Sequence, residues 1–167
     1  MVSRKRARWL VFGIGNPSRG DDAIGPVFVE RLEEWRTSAC ELPIELTLLT
    51  DFQWQVEHAL DLEDVDLAIF VDASLSASAP FQLERLQAHF DVTYTTHALS
   101  PACVLAVAER LGQTLPDAWQ MSIPGRSFDL GAPLGAASCA YLEVAIDFMR
   151  ASLAAGRFDP REYAHRP

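Results

Sequence analysis

Residues 11–25 constrain the fold most strongly, because they combine the end of an apolar run, a glycine-rich turn and the start of a helical pattern. The run at residues 9–12 is continuously apolar, which is typical of a parallel strand buried on both faces. It ends at Gly13, Gly15 and Pro17, which indicate a turn. Apolar residues then recur at the spacing of an amphipathic helix, at Ile24, Val27, Phe28, Leu32 and Trp35. This order of strand, turn and helix predicts an α/β protein.

Two adjacent carboxylates, Asp21 and Asp22, lie between that turn and the predicted helix. Aspartate is favoured at the start of a helix, where it meets unpaired N–H groups and the positive end of the helix dipole. Capping therefore explains one of the two residues readily. In open α/β sheets, however, ligands and catalytic groups gather at the carboxyl ends of the strands. Both interpretations, capping and function, stay open at this point.

Strand and helix patterns alternate along the rest of the chain. Strand patterns occur at residues 44–49, 67–71 and 118–123, the first with apolar and polar residues mixed. Alternation at residues 81–86 predicts an antiparallel edge strand. Ser100 and Pro101 indicate the start of a second long helix, and an apolar stripe at residues 141–153 indicates a third. The predicted fold is α/β, a three-layer α/β/α sandwich with a mostly parallel twisted sheet of about five strands.

Length and composition narrow the possible classes of protein. The 167 residues suit one domain over residues 1–167, with residues 1–7 and 157–167 expected to be flexible. A net charge of −9 disfavours nucleic acid and anionic membranes as partners. The cysteines lack any metal-binding spacing, and no segment approaches the ~20 apolar residues of a membrane span. We therefore expect a cytoplasmic protein that binds neither nucleic acid nor a membrane. A monomer is also expected.

Three polar residues occupy comparable places in the predicted sheet. Asp22 follows the first strand, Asp72 ends the strand at residues 67–71, and His97 lies in the loop before a helix. If these strands are parallel neighbours, their carboxyl ends can bring the three side chains together. Two carboxylates and one imidazole suit a borderline divalent metal such as nickel or zinc, and they leave a coordination position open. Each residue also has an ordinary explanation, as a turn or cap aspartate or as a hydrogen-bonded loop histidine.

Three motifs that contain these residues resemble those of the maturation endopeptidases of nickel–iron hydrogenases. They are Gly13-x-Gly15-Asn16-x-x-x-Gly20-Asp21-Asp22-Ala23-x-Gly25, Val71-Asp72-Ala73 and Thr96-His97-Ala98-Leu99-Ser100-Pro101. The similarity runs from about residue 8 to about residue 150. The resemblance implies a metal-binding site of Asp22, Asp72 and His97, with Asp22 and Asp72 as the catalytic candidates. Asp21 is expected to cap the helix or to support Asp22. The structural turn is expected to comprise Gly13, Gly15, Asn16, Gly20 and Gly25.

The resemblance also implies a function. Members of that family remove a short C-terminal extension from the hydrogenase large-subunit precursor once nickel has been installed. Nickel in the precursor is then the recognition element, so the metal is expected to arrive with the substrate, and no organic cofactor is expected. Either a carboxylate activates water or the metal polarises the scissile carbonyl. An aspartic-protease dyad that shares one proton would require two carboxyls in direct contact, which the sequence does not establish.

The sequence departs from one pattern of that family after the second predicted strand. Some members carry an aspartate followed by glycines and threonine, where this chain has Asp51-Phe52-Gln53-Trp54-Gln55. Asp51 and Gln53 are therefore candidate substrate-binding residues. Their alternative role is to fix the loop through hydrogen bonds from side chain to backbone. His58 and His89 are expected on the surface.

Other function classes remain open on the sequence alone. A non-catalytic chaperone that senses nickel in its partner could use the same three ligands. Peptidyl-tRNA hydrolases also open with a strand and Gly-x-Gly-Asn-Pro, but this chain has Asp21 and Asp22 where their catalytic histidine would follow. The charge of −9 also suits a tRNA ligand poorly. A dinucleotide site is disfavoured because Ser18 stands where its fingerprint needs glycine.

Overall fold

The computed structural model describes residues 5–39, 41–90 and 99–162. Within these ranges, five strands form one sheet in the order β2-β1-β3-β5-β4. The strands are β1 (Arg8–Ile14), β2 (Glu45–Asp51), β3 (Leu67–Ser74), β4 (Gln82–Arg85) and β5 (Asp117–Pro124). The first three strands and β5 are joined by parallel pairing, and β4 runs antiparallel to β5 at the edge. The predicted mostly parallel sheet with one antiparallel edge strand is confirmed.

Helical segments cover both faces of the sheet. The α-helices of the described ranges are α1 (Ile24–Ser38), α2 (Pro101–Arg110) and α3 (Ala136–Ala155). Three 3₁₀ segments accompany them, in chain order Gly20–Ala23, Val56–Leu62 and Pro160–Glu162. One face packs against α1 and α3, and the other packs against α2 and the second 3₁₀ segment. None of the described helices has the length and apolar character needed to cross a membrane.

Alternate residues of the two central strands supply the two apolar cores. Val11 and Ile69 pack with α1 and α3, whereas Leu10 and Phe70 pack with α2 and the second 3₁₀ segment. All four side chains are buried, so the predicted burial of these strands on both faces is confirmed. Because side chains alternate along a strand, Asp72 follows Phe70 on the face that α2 covers.

The ends of the elements match the sequence patterns in some places and differ in others. The Ser100 hydroxyl accepts a hydrogen bond from the Cys103 N–H, and Pro101 opens α2, as predicted. Strand β3 continues past Asp72 to Ser74, because its pairing with β5 extends that far. In the segment predicted to be flexible, Phe158 packs its ring against Phe148 of the core and against the partly buried Trp119.

Strand β1 and helix α1 approach so closely that both need glycine at the contact. A Cβ atom on Gly13 would lie 2.1 Å from the carbonyl oxygen of Gly25, and one on Gly25 would lie 2.1 Å from that of Ile14. Real Cβ atoms do not come so close to backbone oxygen. The two glycines therefore allow the start of α1 to pack directly against the end of β1.

Gly25→Ala should lower the free energy of unfolding by about 1–3 kcal/mol, the range typical of overpacking. The added methyl group would push against the Ile14 backbone, although alanine is the better helix former. Urea unfolding followed by circular dichroism measures the effect as a lower midpoint. Glu30→Ala, at an exposed position of α1, is the matched control and should leave the midpoint close to that of the wild-type protein. An equal midpoint for both variants would mean that the two elements are not in this close contact.

Candidate active site

The candidate site lies at the carboxyl edge of the parallel strands. Asp51 of β2 pairs with Ile14 at the end of β1. On the other side of β1, Val71 of β3 pairs with Gly13, and Asp72 is the next residue of β3. Asp51 and Asp72 therefore flank the end of β1, and two interstrand spacings put their Cα atoms about 10 Å apart. This is the edge at which ligands bind in open α/β sheets.

Asp22 follows the turn that leaves β1, and the turn orients its carboxylate. The Asn16 N–H donates to Asp22 Oδ2 at 2.8 Å, and the Asn16 side chain closes the turn by accepting from the Ser18 N–H at 2.9 Å. Gly15 has φ +144°, and a Cβ atom there would lie 1.9 Å from the Asp22 carbonyl oxygen. Glycine at this position therefore lets the turn close on Asp22.

Asp72 carries a carboxyl group whose pKa is raised to about 7. Loss of water around the partly exposed side chain is the largest cause. A hydrogen bond from the Ala73 N–H opposes the rise in pKa, and the negative charge of Asp22 adds to it. The two carboxyl groups are thus close enough to interact electrostatically. A carboxyl that titrates near neutral pH can exchange a proton with a reacting group or lose it to a metal ion.

Asp21 does not cap α1, so the capping alternative is wrong, whereas its support of Asp22 stays a prediction. The 3₁₀ segment Gly20–Ala23 precedes the helix, and no side chain caps α1 at its start. The Asp21 carboxylate instead accepts hydrogen bonds from three backbone N–H groups of the loop between β5 and α3, namely those of Arg126 at 2.7 Å, Ser127 at 3.1 Å and Gly135 at 2.8 Å. The side chain is 1% exposed. The sequence gives no sign of these partners, because they are main-chain groups of a distant loop.

The surroundings of Asp21 move its pKa in the opposite direction to that of Asp72. Desolvation, the largest single effect, raises the pKa of Asp21. The hydrogen bonds from the backbone of Arg126, Gly135 and Ser127, with one from the Ser138 side chain, together outweigh it. The net result is a pKa below the usual aspartate value, so Asp21 is a structural anion.

His97 lies outside the described residues, so its predicted part in the site stays a prediction. The described chain resumes at Leu99, which packs in the apolar cluster on the same face of the sheet as Asp72. In residues 5–39, 41–90 and 99–162, no three His, Cys, Asp or Glu side chains are arranged to hold a metal ion. That absence does not bear on the predicted set, because His97 is not among those residues.

Asp51 lies at the same edge of the sheet and makes contacts beyond its own loop. Its Oδ1 accepts the Phe52 N–H at 2.6 Å, and its Oδ2 lies 3.1 Å from His58 Nε2. His58 is 8% exposed, so the expected surface position is wrong for this residue. Its spacing of four residues from the buried Leu62 is the signal that could have revealed it. Gln53, the other candidate of this loop, is exposed.

A groove of about 330 Å³ lies beside Asp51. It is lined by Gly15, Pro17, Pro26, Thr50, Asp51 and Phe52. Gly15 belongs both to this lining and to the turn that contacts Asp22. The groove therefore extends from Asp51 to the turn that contacts Asp22.

Several solved structures of known proteins have the same fold as this chain. Neither a protein-family model nor a curated protein matches the sequence. The hydrogenase maturating endopeptidase HybD from E. coli is 26% identical, with a TM-score of 0.68 over 89% of this chain and 93% of that chain. An endopeptidase from Escherichia coli, solved in solution, is 25% identical, with a TM-score of 0.67 over the same shares. The [NiFe] hydrogenase maturation protease HycI from Thermococcus kodakarensis KOD1 is 23% identical, also with a TM-score of 0.67 over those shares, and shows the same fold.

The shared fold and the paired carboxylates at the edge of the sheet define the class of protein as an α/β peptide hydrolase. Within that class, the chain is similar to solved hydrogenase maturation endopeptidases. The resemblance in the sequence motifs is thereby confirmed.

Asp21→Asn should lower the free energy of unfolding at neutral pH by about 1.5–3 kcal/mol, the range for hydrogen bonds to a charged group. The amide offers one acceptor oxygen where the carboxylate offers two, and it turns an NH₂ group toward backbone donors. Urea unfolding at pH 7 measures the loss, and Asp61→Asn at an exposed position is the matched control. Because the folded-state pKa of Asp21 is lowered, the difference should begin to shrink below the usual value of 3.8 and be lost as the pH falls through the lowered folded-state pKa. Equal stability of wild-type and variant at pH 7 would contradict a stabilising role.

The raised pKa of Asp72 predicts a contribution to stability that decreases as the pH rises. The folded protein holds this proton more tightly than the unfolded chain, whose aspartates titrate near 3.8. The contribution is complete below that value and is lost as the pH rises through about 7. The free energy of unfolding of the wild-type protein, minus that of Asp72→Asn, should therefore fall between about pH 4 and about pH 7 and then level off. A difference that stays constant over this range would contradict the raised pKa.

Proposed function

We propose that this protein removes the C-terminal extension of a nickel–iron hydrogenase large-subunit precursor after nickel has been inserted. The observation that carries the proposal is the pair of interacting carboxyl groups, Asp22 and Asp72, at the carboxyl edge of the sheet in an endopeptidase fold. Asp22, Asp72 and His97 would contact the nickel of the precursor. The metal is thus part of the substrate.

The chemistry of this donor set supports nickel as the recognition element. Two carboxylate oxygens and one imidazole nitrogen suit a borderline divalent metal, and they leave positions for the ligands that the precursor itself provides. Without metal, the Asp72 carboxyl keeps its proton to about pH 7. A metal ligand must be deprotonated, so contact with nickel releases this proton and becomes stronger as the pH rises.

The peptide bond can be opened in two ways at such a site. When both carboxylates bind nickel, they are ionised, and the metal polarises the scissile carbonyl toward attack by water. If one carboxylate stays off the metal, it can take the proton of the attacking water as a general base. A proton shared between Asp22 and Asp72, as in an aspartic protease, is compatible with the raised pKa of Asp72 only when no metal is bound.

Similarity to solved endopeptidases favours cleavage over the alternatives. A chaperone that senses nickel without cutting would use the same ligands but would not need a proton-exchanging carboxyl. The relatives reported above are peptidases, which also disfavours a peptidyl-tRNA hydrolase. A cytoplasmic location and a monomeric state are parts of this proposal that rest on the sequence alone.

The mass of a purified precursor, with and without nickel, tests the proposed function. Only the nickel-loaded precursor should lose a C-terminal peptide when it is incubated with the protein. Asp22→Ala, Asp72→Ala and His97→Ala should each reduce the rate of cleavage by at least about a hundredfold, as expected for the loss of an acid–base or metal-contacting group.

Controls separate a loss of function from a loss of fold. Asp61→Ala and His89→Ala each replace an exposed aspartate or histidine outside the proposed site. Both variants should cleave the precursor at the wild-type rate. Urea midpoints of all variants verify folding. Binding of the nickel-loaded precursor without any change of mass would favour the nickel-sensing chaperone, and cleavage of the nickel-free precursor would contradict recognition through nickel.

A further inference from the structure

We propose that His58 is a positioning residue for substrate binding. It holds the Asp51 carboxylate in the lining of the groove, which also includes Gly15, the glycine that contacts Asp22. One oxygen of that carboxylate receives a hydrogen-bond donor of the substrate peptide. This inference rests on the proposed function, because it concerns the same substrate. It assigns a role to a buried histidine that the metal-binding candidates do not include.

The hydrogen-bond network fixes the tautomer of His58. The Gln55 N–H donates to His58 Nδ1 at 3.1 Å, so Nδ1 is an acceptor and the neutral ring carries its proton on Nε2. Nε2 then donates to Asp51 Oδ2 at 3.1 Å. The contact between ring and carboxylate therefore has a defined direction.

The imidazole is itself held in place by aromatic packing. Its ring centroid lies 4.6 Å from that of Phe12 and 5.9 Å from that of Trp54, both with edge-to-face geometry. Trp54 packs in turn against Phe70, at 5.0 Å. A ring packed on this scale cannot turn without disturbing the core, so it provides a rigid support for the carboxylate.

The two oxygens of Asp51 have different surroundings. Oδ2 accepts from His58 and also from the Gln55 side-chain amide at 3.3 Å, whereas Oδ1 accepts the Phe52 N–H at 2.6 Å. Each carboxylate oxygen has about two acceptor sites, so Oδ1 keeps capacity for a further donor. The side chain is 34% exposed and lines the groove. Oδ2 is thus held by two side chains, whereas Oδ1 is held by one backbone N–H and can accept a further donor from a ligand.

The groove connects this oxygen to the candidate catalytic edge. The Gly15 N–H donates to the Asp51 carbonyl oxygen at 3.0 Å, and Gly15 also contacts Asp22. Pro17 and Pro26 belong to the lining, and Phe52, 65% exposed, is the largest apolar side chain at the groove. A peptide segment lying there meets apolar walls and a carboxylate acceptor, which together can align it relative to Asp22.

A purely structural role for His58 is the alternative that the experiment must separate. His58 and Gln55 also form a reciprocal capping arrangement at the start of the 3₁₀ segment Val56–Leu62. Loss of that arrangement would lower stability but would leave substrate affinity unchanged. The Michaelis constant for the nickel-loaded precursor is the readout that distinguishes the two roles.

His58→Phe keeps a ring in the aromatic cluster and removes the donor. We expect KM for the nickel-loaded precursor to rise about tenfold or more, the effect of losing a charge-assisted hydrogen bond, with kcat within about twofold of the wild-type value. His58→Gln, whose Nε2 can still donate to Asp51, should restore most of the affinity. Asp51→Asn should raise KM similarly, and the double variant His58→Phe/Asp51→Asn should be no worse than Asp51→Asn alone, because both changes act on one contact.

Two controls keep the outcome interpretable. His89→Phe, at an exposed histidine, should change neither parameter. Nitrogen-15 NMR of the imidazole reports the contact without any activity, and the wild-type ring should be the Nε2–H tautomer. An unchanged KM in a folded His58→Phe, or a loss confined to kcat, would overturn the positioning role, as would the opposite tautomer. A wild-type protein that fails to cleave the precursor would instead contradict the proposed function, and it would therefore also contradict the role of His58 in binding that substrate.

Discussion

The candidate site depends on one buried interaction, the contact of the Asp21 carboxylate with the loop between β5 and α3. Three backbone N–H groups of that loop point at this carboxylate, and Gly135, which gives one of them, immediately precedes α3. The same segment contains Asp22, so the contact that fixes Asp21 also limits where Asp22 can lie. Two chain segments about a hundred residues apart are joined in this way at the edge of the sheet.

The fold was predictable because its signals are local. Continuous apolar runs at β1 and β3, the alternating pattern of β4 and the Ser-Pro start of α2 each follow from a few neighbouring residues. The three-layer arrangement then follows from the order of the elements, since parallel strands need helical crossovers. The glycines at positions 13 and 25 were predicted as turn residues, but the mutual approach of strand and helix that requires them involves backbone atoms and is not visible in residue types.

The site was less predictable, because its chemistry depends on contacts between distant segments. His58 looked like a surface residue, and its burial results from a cluster formed with Phe12 of β1, Trp54 of the loop after β2 and Phe70 of β3. The role of Asp21 could not be inferred either, since its partners are main-chain donors that any sequence possesses. The positions of Asp51 and Asp72 at the edge were predictable from strand ends alone. The raised pKa of Asp72 was not, because desolvation depends on what surrounds the carboxyl group.

Asp21 and Asp72 are the same residue type near one edge of the sheet, yet their surroundings give them opposite properties. Several hydrogen bonds stabilise the charged form of Asp21 enough to outweigh desolvation, so this carboxylate stays ionised and serves the structure. Asp72 receives a backbone hydrogen bond from Ala73 that does not compensate for its desolvation, and Asp22 adds a repulsive charge. A carboxyl group that loses its proton near neutral pH suits a group that must change its protonation state during a reaction. It would be a poor anchor for a loop. The number of N–H donors around each carboxylate therefore separates the structural aspartate from the functional candidate.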